Sequence, residues 1–370
     1  MKKFVDVPWH LYKDDPLWTP PLRADYLGSR LLGMTGLLTP EHAYHRTAEV
    51  THFIAWRGRT PVGRISAAIN HRFNEYHNTA VGFFGHFELI NSAEVAEELL
   101  DRAQEWLSAR GMAVMRGPGE YSCATHERQG VLVDGFGTPP TVELTHNPPY
   151  YGELLEGYGM RKAKDYHAYI VDVQRPRSHR LTELMERVKQ RRNITTRAFS
   201  MAALRSEVRL IVELYNEAWA DNWGFLPLTE DDGDSLEDTL KPILDEGLVR
   251  FAYVDGEPAA VLGAFPDPYY ALRPRWKWYG DSDPVRVARL MRVRRHIPRI
   301  RLIFFGIKPK YRRLGVDAVL YDEVKQYAMK HGYQTCDISM LLEDNYLILR
   351  ASSFMEAERY KTWRIYDLPL

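Results

Sequence analysis

Strand and helix signals recur twice in the same order along this chain, at an offset near two hundred residues, and this repetition limits the fold more than any single motif. Apolar runs at 53–56 and 62–65 flank Arg57-Gly58-Arg59-Thr60-Pro61, a hairpin signal, and runs at 251–254 and 259–264 flank Asp255-Gly256-Glu257-Pro258 in the same way. A strand is expected at 81–90. Asn91 with Glu94 then resembles a capping box, and Val95, Leu99, Leu100, Ala103 and Leu107 recur at helical spacing up to Gly111. The counterpart is an apolar run at 302–307 suited to a buried strand, then a helix from Gly315. That helix carries Val316, Val319, Leu320, Val324, Tyr327 and Ala328 on one face and ends at Gly332. Phe53 to Phe251 is 198 residues and Gly111 to Gly332 is 221, which implies an insertion in the second copy. A period that long is a domain duplication, not a solenoid.

The first copy continues with a strand at 113–116, a helix at 150–158 and a strand at 166–171. In the second, 333–342 alternates Cys336, Ile338, Met340 and Leu342 with Thr335, Asp337 and Ser339, and a strand at 363–366 is expected to close that half. The fold class is α/β (α+β): tandem domains with mixed, mostly antiparallel sheets flanked by helices. An apolar content of 45% over 370 residues suffices for two cores. The expected division is a domain at 1–172 with an irregular Pro- and Trp-rich lead-in, a linker helix at 173–193, and a domain at 194–370. Leu181, Leu184, Met185 and Val188 share one face of the linker helix.

Lys plus Arg and Asp plus Glu both number 49, so no whole-chain field favours nucleic acid or an anionic membrane. Cys123 and Cys336 form no metal or disulfide pattern, the histidines, His42 and His45 included, show no metal spacing, and no apolar stretch is long enough to span a bilayer. These features lead us to expect a soluble cytoplasmic protein without a metal.

The chemistry concentrates in Ile307-Lys308-Pro309-Lys310-Tyr311-Arg312-Arg313-Leu314-Gly315-Val316-Asp317-Ala318, which links a buried strand to a helix start. Amides at a helix N-terminus lack intrahelical partners and, with the helix dipole, favour an anion. Lys308, Lys310, Arg312 and Arg313 add positive charge, and Gly315 permits close approach of a ligand. Surface bases also decorate ordinary strand–loop–helix junctions, so the loop alone leaves the question open.

With Ile307, Pro309, Tyr311, Arg312 and Gly315 in place, the stretch resembles motif A of the GNAT superfamily of acyl-CoA N-acyltransferases. The chain as a whole is similar to two-domain bacterial GNAT-like proteins with a degenerate first copy; its 83–88 stretch runs into the helix without the Arg-x-x-Gly pattern, while Leu154 to Met160 resembles the family's domain ending. The resemblance implies acyl-CoA, with acetyl-CoA the expected form, as cosubstrate. Ile307 would pair with the pantetheine arm, amides from Arg313 to Ala318, through Leu314, Gly315, Val316 and Asp317, would bind the pyrophosphate, and Asn345 would help hold the cofactor. Asp317 departs from the motif's Gly or Ala, and its carboxylate would repel a pyrophosphate. Ser352 stands seven residues after Asn345, where the family often has a Tyr that protonates the leaving thiolate.

For the general base that an amine acceptor needs, the candidates are Glu343, Asp344 and Asp337, with Ser339 as a residue that could hold substrate or water. Asn216, Trp219, Asn222 and Trp223 are the expected acceptor wall, although helix packing explains the two Trp about as well. The Gly- and Pro-rich stretch 116–151 suits a binding loop. Between Arg273 and Arg301, ten Lys or Arg face Asp281 and Asp283, a net of +8 interleaved with Trp276, Trp278 and Tyr279. Such a segment suits RNA or the CoA 3'-phosphate, or simply a basic amphipathic helix that buries Val285, Leu290, Met291 and Val293. The expected activity is acyl transfer, acetyl above all, to a small-molecule or peptide amine. The alternatives are an aminoacyl-tRNA or acyl-carrier-protein donor, and a non-catalytic binding protein.

Overall fold

The computed structural model describes residues 1–123, 128–176, 179–240, 243–273, 282–345 and 355–370. They form two compact units, 1–166 with 271–292 and 361–370, and 167–270 with 293–360.

In the first unit the lead-in is helical rather than irregular: α1 (Lys2–Leu11) and α2 (Arg23–Leu27) bury Phe4, Val5, Trp9 and Tyr26. Pro8 inside α1 hid that helix from a composition reading. These aromatics pack with Trp18, Leu38, Ala68 and Tyr121 into one cluster. The expected hairpin is β1 (Ala48–Arg57) with β2 (Thr60–Asn70). A short α3 (His71–His77) leads to β3 (Val81–Leu89), antiparallel to β2 and parallel to β4 (Val114–Gly119).

Between β3 and β4 runs α4 (Ala93–Ser108). Its cap is Ser92, one residue after the expected Asn91: Ser92 is extended and its Oγ accepts from the Val95 amide at 3.4 Å. The stretch 116–151 contains β5 (Val131–Asp134), and α5 (Tyr150–Gly157) follows it.

Two strands pass from one unit into the other. β6 (Arg161–Asp172) leaves the first unit at His167 and runs beside β11 (Thr335–Leu342) in the second. β12 (Glu358–Pro369) enters the first unit at Lys361. There it pairs antiparallel with β4, Tyr366 opposite Gly117, and with β5, Thr362 opposite Asp134. The expectation that 363–366 closes the second half is thereby corrected. Apolar alternation specifies a strand but not which sheet edge it joins; here the edge is chosen by fully buried Trp363, Ile365 and Tyr366 and by Arg116 forked onto Asp367 at 2.8 Å.

In the second unit the strand order is β11-β10-β9-β8-β7, with β7 (Ile194–Ala198), β8 (Val249–Val254), β9 (Glu257–Pro266) and β10 (Arg299–Ile307). One face carries α6 (His179–Arg191) and α11 (Val316–Lys330) over a core that includes Leu262, Ile300, Val319 and Ile338. The other packs Phe251, Val261, Phe265 and Phe304 against Leu204, Val208, Ile211 and Leu214 of α7 (Leu204–Ala218). α8 (Glu230–Leu240) packs on α7.

The insertion of the second copy holds α9 (Tyr269–Leu272) and α10 (Asp283–Val293). Contrary to expectation α10 leaves Val285 and Met291 exposed, and it buries Arg286 along with Leu290. A guanidinium with acceptors on every side is satisfied inside: Arg286 donates to the carbonyls of Leu272 at 3.1 Å and Pro21 at 2.9 Å. Trp276, Trp278, Tyr279 and Asp281 lie outside the described residues.

Candidate functional site

The site grows from a divergence of two parallel strands. β10 and β11 pair from Arg299–Thr335 to Leu302–Ile338 and, among the described residues, form no further pair, although β10 continues to Ile307 and β11 to Leu342. At the same point β10 shifts register against β9, between Leu302 and Phe304, and then pairs with β9 up to Ile307–Ala260. A bulge at this position bends β10 while its far edge stays bonded. Among the described residues the β11-facing amides of 303–307 have no ladder partner on β11, while Phe305 O and Ile307 O accept from Trp219 and Arg312.

The loop beyond Ile307 is a short 3-10 turn, Pro309–Tyr311, anchored by the Lys308 amide on Ala259 O at 2.9 Å. Its cations differ from expectation, because three of the four are engaged by the protein. Lys308 is largely buried between Glu213 at 2.9 Å and Glu217 at 2.8 Å; burial opposes its charge, but the two carboxylates outweigh it and raise its pKa. Lys310 lies 2.6 Å from Glu257. Arg312 donates to Ala218 O at 2.8 Å and to Ile307 O at 3.4 Å, and so ties the loop to the end of α7. A cation with fixed acceptors holds a loop in shape and is less available to a ligand. Arg313 is exposed and, at φ 66°, carries its side chain on left-handed backbone.

Gly315 stands at φ 84° as the N-cap of α11, where no side chain caps the helix. A Cβ there would meet Val188 Cγ1 of α6 at 2.9 Å and would be strained by its φ, so glycine is required on both counts. The amides of Val316, Asp317 and Ala318 open the helix without intrahelical partners. Asp317 and Ala318 also line an apolar cavity of about 670 Å³ under α11. Its floor is the sheet, from Leu262, Ala264, Ile300, Leu302, Cys336 and Ile338. Burial pushes the Cys336 thiol up to about 12, helped by the neighbouring Asp337.

The opposite face of β11 is polar, as the alternation in 333–342 anticipates. Asp337 is fully buried and accepts from the Tyr360 hydroxyl; burial, then the Asp337 charge, raise the Tyr360 pKa. Ser339 is buried and accepts from Arg301 Nε at 3.2 Å. Beside them Arg299 is forked onto buried Asp267, with its Nε at 2.7 Å.

The structure brings Ile307, Arg312 and Trp219 close together: Arg312 donates to Ile307 O and to Ala218 O beside Trp219, and the Trp219 indole donates to Phe305 O at 2.9 Å. Asn216 instead clamps the chain at Leu228, through bonds of 2.8 and 3.0 Å, and Asn222 turns the backbone after α7 by accepting from Phe225 at 3.1 Å. Trp223 is half-buried in the same turn. Glu343 and Asn345 lie in the turn after β11, where the Asn345 amide bonds Leu342 O at 3.0 Å. Ser352 lies outside the described residues. The sequence points to Asp317 and Ala318 of the cavity lining but not to the cavity, whose other residues, Tyr321 among them, belong to separate strands and helices; the signals for them are the apolar alternation of Cys336 and Ile338 and the helix face of Val324 and Ala328. Among the described residues no group of three His, Cys, Asp or Glu could hold a metal ion, and no helix is long and apolar enough to cross a membrane.

No protein-family profile matches the chain. It is 32% identical to the bacterial ceramide synthase of Caulobacter vibrioides (strain NA1000 / CB15N), over all of this chain and 95% of that protein. The chain belongs to the family of that bacterial ceramide synthase. It is also 26% identical to protein YghO of Escherichia coli K12, over 99% of this chain and 92% of the other. Among solved structures it resembles the tandem GNAT protein from the clavulanic acid biosynthesis pathway, at a TM-score of 0.54 and 10% identity, over all of this chain and 94% of that one. That last likeness speaks for the fold alone. The chain is thus a two-domain GNAT-fold acyltransferase of the bacterial ceramide synthase family.

Proposed function

We propose that the second unit transfers an acyl group from a CoA thioester to the primary amine of a long-chain amino alcohol. The observation that carries this reading is the parting of β10 from β11 directly before an uncapped helix start, which together suit an extended pantetheine and its pyrophosphate. The relative's name supports an amide product, since a ceramide is an N-acylated long-chain base. Acetyl is not singled out by any feature of the site.

In this reading the amides of Val316, Asp317 and Ala318 hold the pyrophosphate, with Arg313 as the nearby exposed cation. The β11-facing amides of 303–307 align the thioester and polarise its carbonyl. The amine nitrogen forms the new C–N bond, the C–S bond breaks, the amine proton passes to Glu343 or a water that it holds, and the thiolate takes up a proton. Ser339 is bonded to Arg301 and serves by orienting it. Trp219 and Trp223 border the acceptor side. An acyl-carrier-protein donor is the second reading, favoured by Asp317 and by the engagement of Lys308, Lys310 and Arg312 within the protein.

The test is to incubate the purified full-length protein with a long-chain amino alcohol and acyl-CoAs from acetyl to palmitoyl, following free thiol and the amide by mass spectrometry. Thiol release matched by amide is expected. Release from none of the acyl-CoAs would sink the CoA reading, and product from acyl carrier protein alone would establish the second one.

A further inference from the structure

We infer that the cavity under α11 is the binding site for one long hydrocarbon chain, the fatty-acyl chain of the donor. The inference rests on the acyl-donor reading for the identity of the chain, while the cavity stands by itself. Protein interiors pack like organic crystals and hold few voids larger than a water. A volume of about 670 Å³ lies instead in the range of small-molecule sites, roughly 300–1,000 Å³.

The shape suits a chain. On α11 the lining runs from Asp317 and Ala318 in the first turn, through Tyr321 and Val324, to Ala328. At 1.5 Å rise per residue that is about 16 Å along the helix. β10 runs toward the loop that starts α11, so Leu302 and Ile338 lie nearer the loop and Ile300 and Cys336 farther from it. One end of the slot therefore opens at the proposed pyrophosphate site, where a thioester would deliver its chain, and the other lies near Ala328. Arg175 and Glu356, paired with each other, form a charged rim. Small residues at Ala264, Ala318 and Ala328 leave the space that larger side chains would fill.

The wall is not wholly apolar: Tyr321 and the buried Asp322 both line it on the α11 side. The Tyr321 hydroxyl is buried and has no hydrogen-bond partner among the described residues, and its ring packs 4.9 Å from Phe305, toward the loop end of β10.

The experiment uses the full-length protein and, below their micellar concentrations, CoA, octanoyl-CoA, palmitoyl-CoA and free palmitate, with affinities from calorimetry. Over the first methylenes affinity should rise roughly fourfold per group, and palmitate, which has no phosphate, should bind. Ala328→Phe, which fills the far part of the slot, should leave CoA and octanoyl-CoA within about twofold and weaken palmitoyl-CoA tenfold or more. If that variant does not fold, Ala264→Phe, entering from β9, replaces it; if neither folds, the chain-length series on the unaltered protein decides. Equal affinity for CoA and palmitoyl-CoA together with no palmitate binding overturns the inference, as does a palmitoyl-to-octanoyl ratio unmoved in a folded variant. Palmitate bound while CoA is not would leave the chain site standing and overturn the CoA donor alone. A long-chain amine that displaces palmitate while acyl-chain length has no effect would assign the slot to the acceptor and overturn the inference.

Discussion

The passage from β3 into α4 in the first unit and from β10 into α11 in the second share one plan, yet the first is filled and the second is open. In both, the inner strand pairs in parallel with the next near its start and carries a register shift further on: β3 shifts against β4 between Phe83 and Gly85, and β10 parts from β11 after Leu302 and shifts against β9 between Leu302 and Phe304. In the first unit the bulge holds His86, at φ 46°, with its Nδ1 2.9 Å from Ser66 Oγ. The Phe4 ring of α1 lies 5.5 Å from His86, and Arg64 donates to Phe4 O at 3.0 Å, so the N-terminal helix covers the place. The helix above is sealed by Ser92 and presses leucines into glycines: a Cβ at Gly82 would meet Leu107 at 2.4 Å, and one at Gly63 would meet Leu99 at 2.8 Å. The strand position equivalent to Gly82 is Ile300, which faces the cavity. The same topology thus supports a solid core or a ligand site, depending on what fills the bulge and how tightly the crossover helix sits.

The largest test of this contrast is Gly315→Leu. Left-handed strain of roughly 1–3 kcal/mol adds to the clash with Val188, so the helix start should shift and CoA affinity should fall about tenfold or more by calorimetry. Unchanged affinity would mean that the open helix start is not the phosphate site. Gly82→Ala strikes the filled copy: overpacking against Leu107 should cost about 1–3 kcal/mol in denaturant unfolding, with CoA affinity unaltered. A change in affinity there would show that the first copy is no mere scaffold.

The smallest effect concerns pH. Burial, then the Arg64 charge, hold the His86 pKa well below 6.5, and burial takes His52 down to about 4. Below pH 6.5 the unfolded chain binds protons that these histidines refuse when folded, so their contribution is present above 6.5 and is lost as pH falls. Asp25, raised to about 6 by burial, and Glu88, also raised by burial, act with the opposite sign over their own ranges. The clean measurement is a difference: between pH 6 and 5 the unmodified protein should lose stability faster than His86→Gln, by up to ~1.4 kcal/mol per pH unit. Parallel profiles would show that His86 takes up its proton in the fold.

Several features were legible in the chain because they depend on neighbours in sequence. The hairpin around Gly58, the helices ended by Gly111 and Gly332, the two-faced strand at 335–342 and the strand–loop–helix passage through Gly315 all follow from local spacing and backbone freedom. The helix cap slipped by one, from Asn91 to Ser92, because both residue types can cap and only the backbone angles choose between them. From the sequence the basic loop is a set of available charges. Glu213 and Glu217 of α7, ninety residues away, turned Lys308 into a strut.

By itself, then, the sequence determined the duplication, the fold class and the position of the anion-favouring loop, since each is written in periodicity and in glycines that no other residue replaces. Tertiary structure alone decided three things: that β12 pairs with β4 and β5, which cations of the loop are engaged by protein partners, and that α11 stands off the sheet far enough to leave a chain-shaped cavity. The physical reason is that these depend on side-chain volumes and charges meeting across strands and helices distant in sequence, where packing, not local propensity, sets the distance.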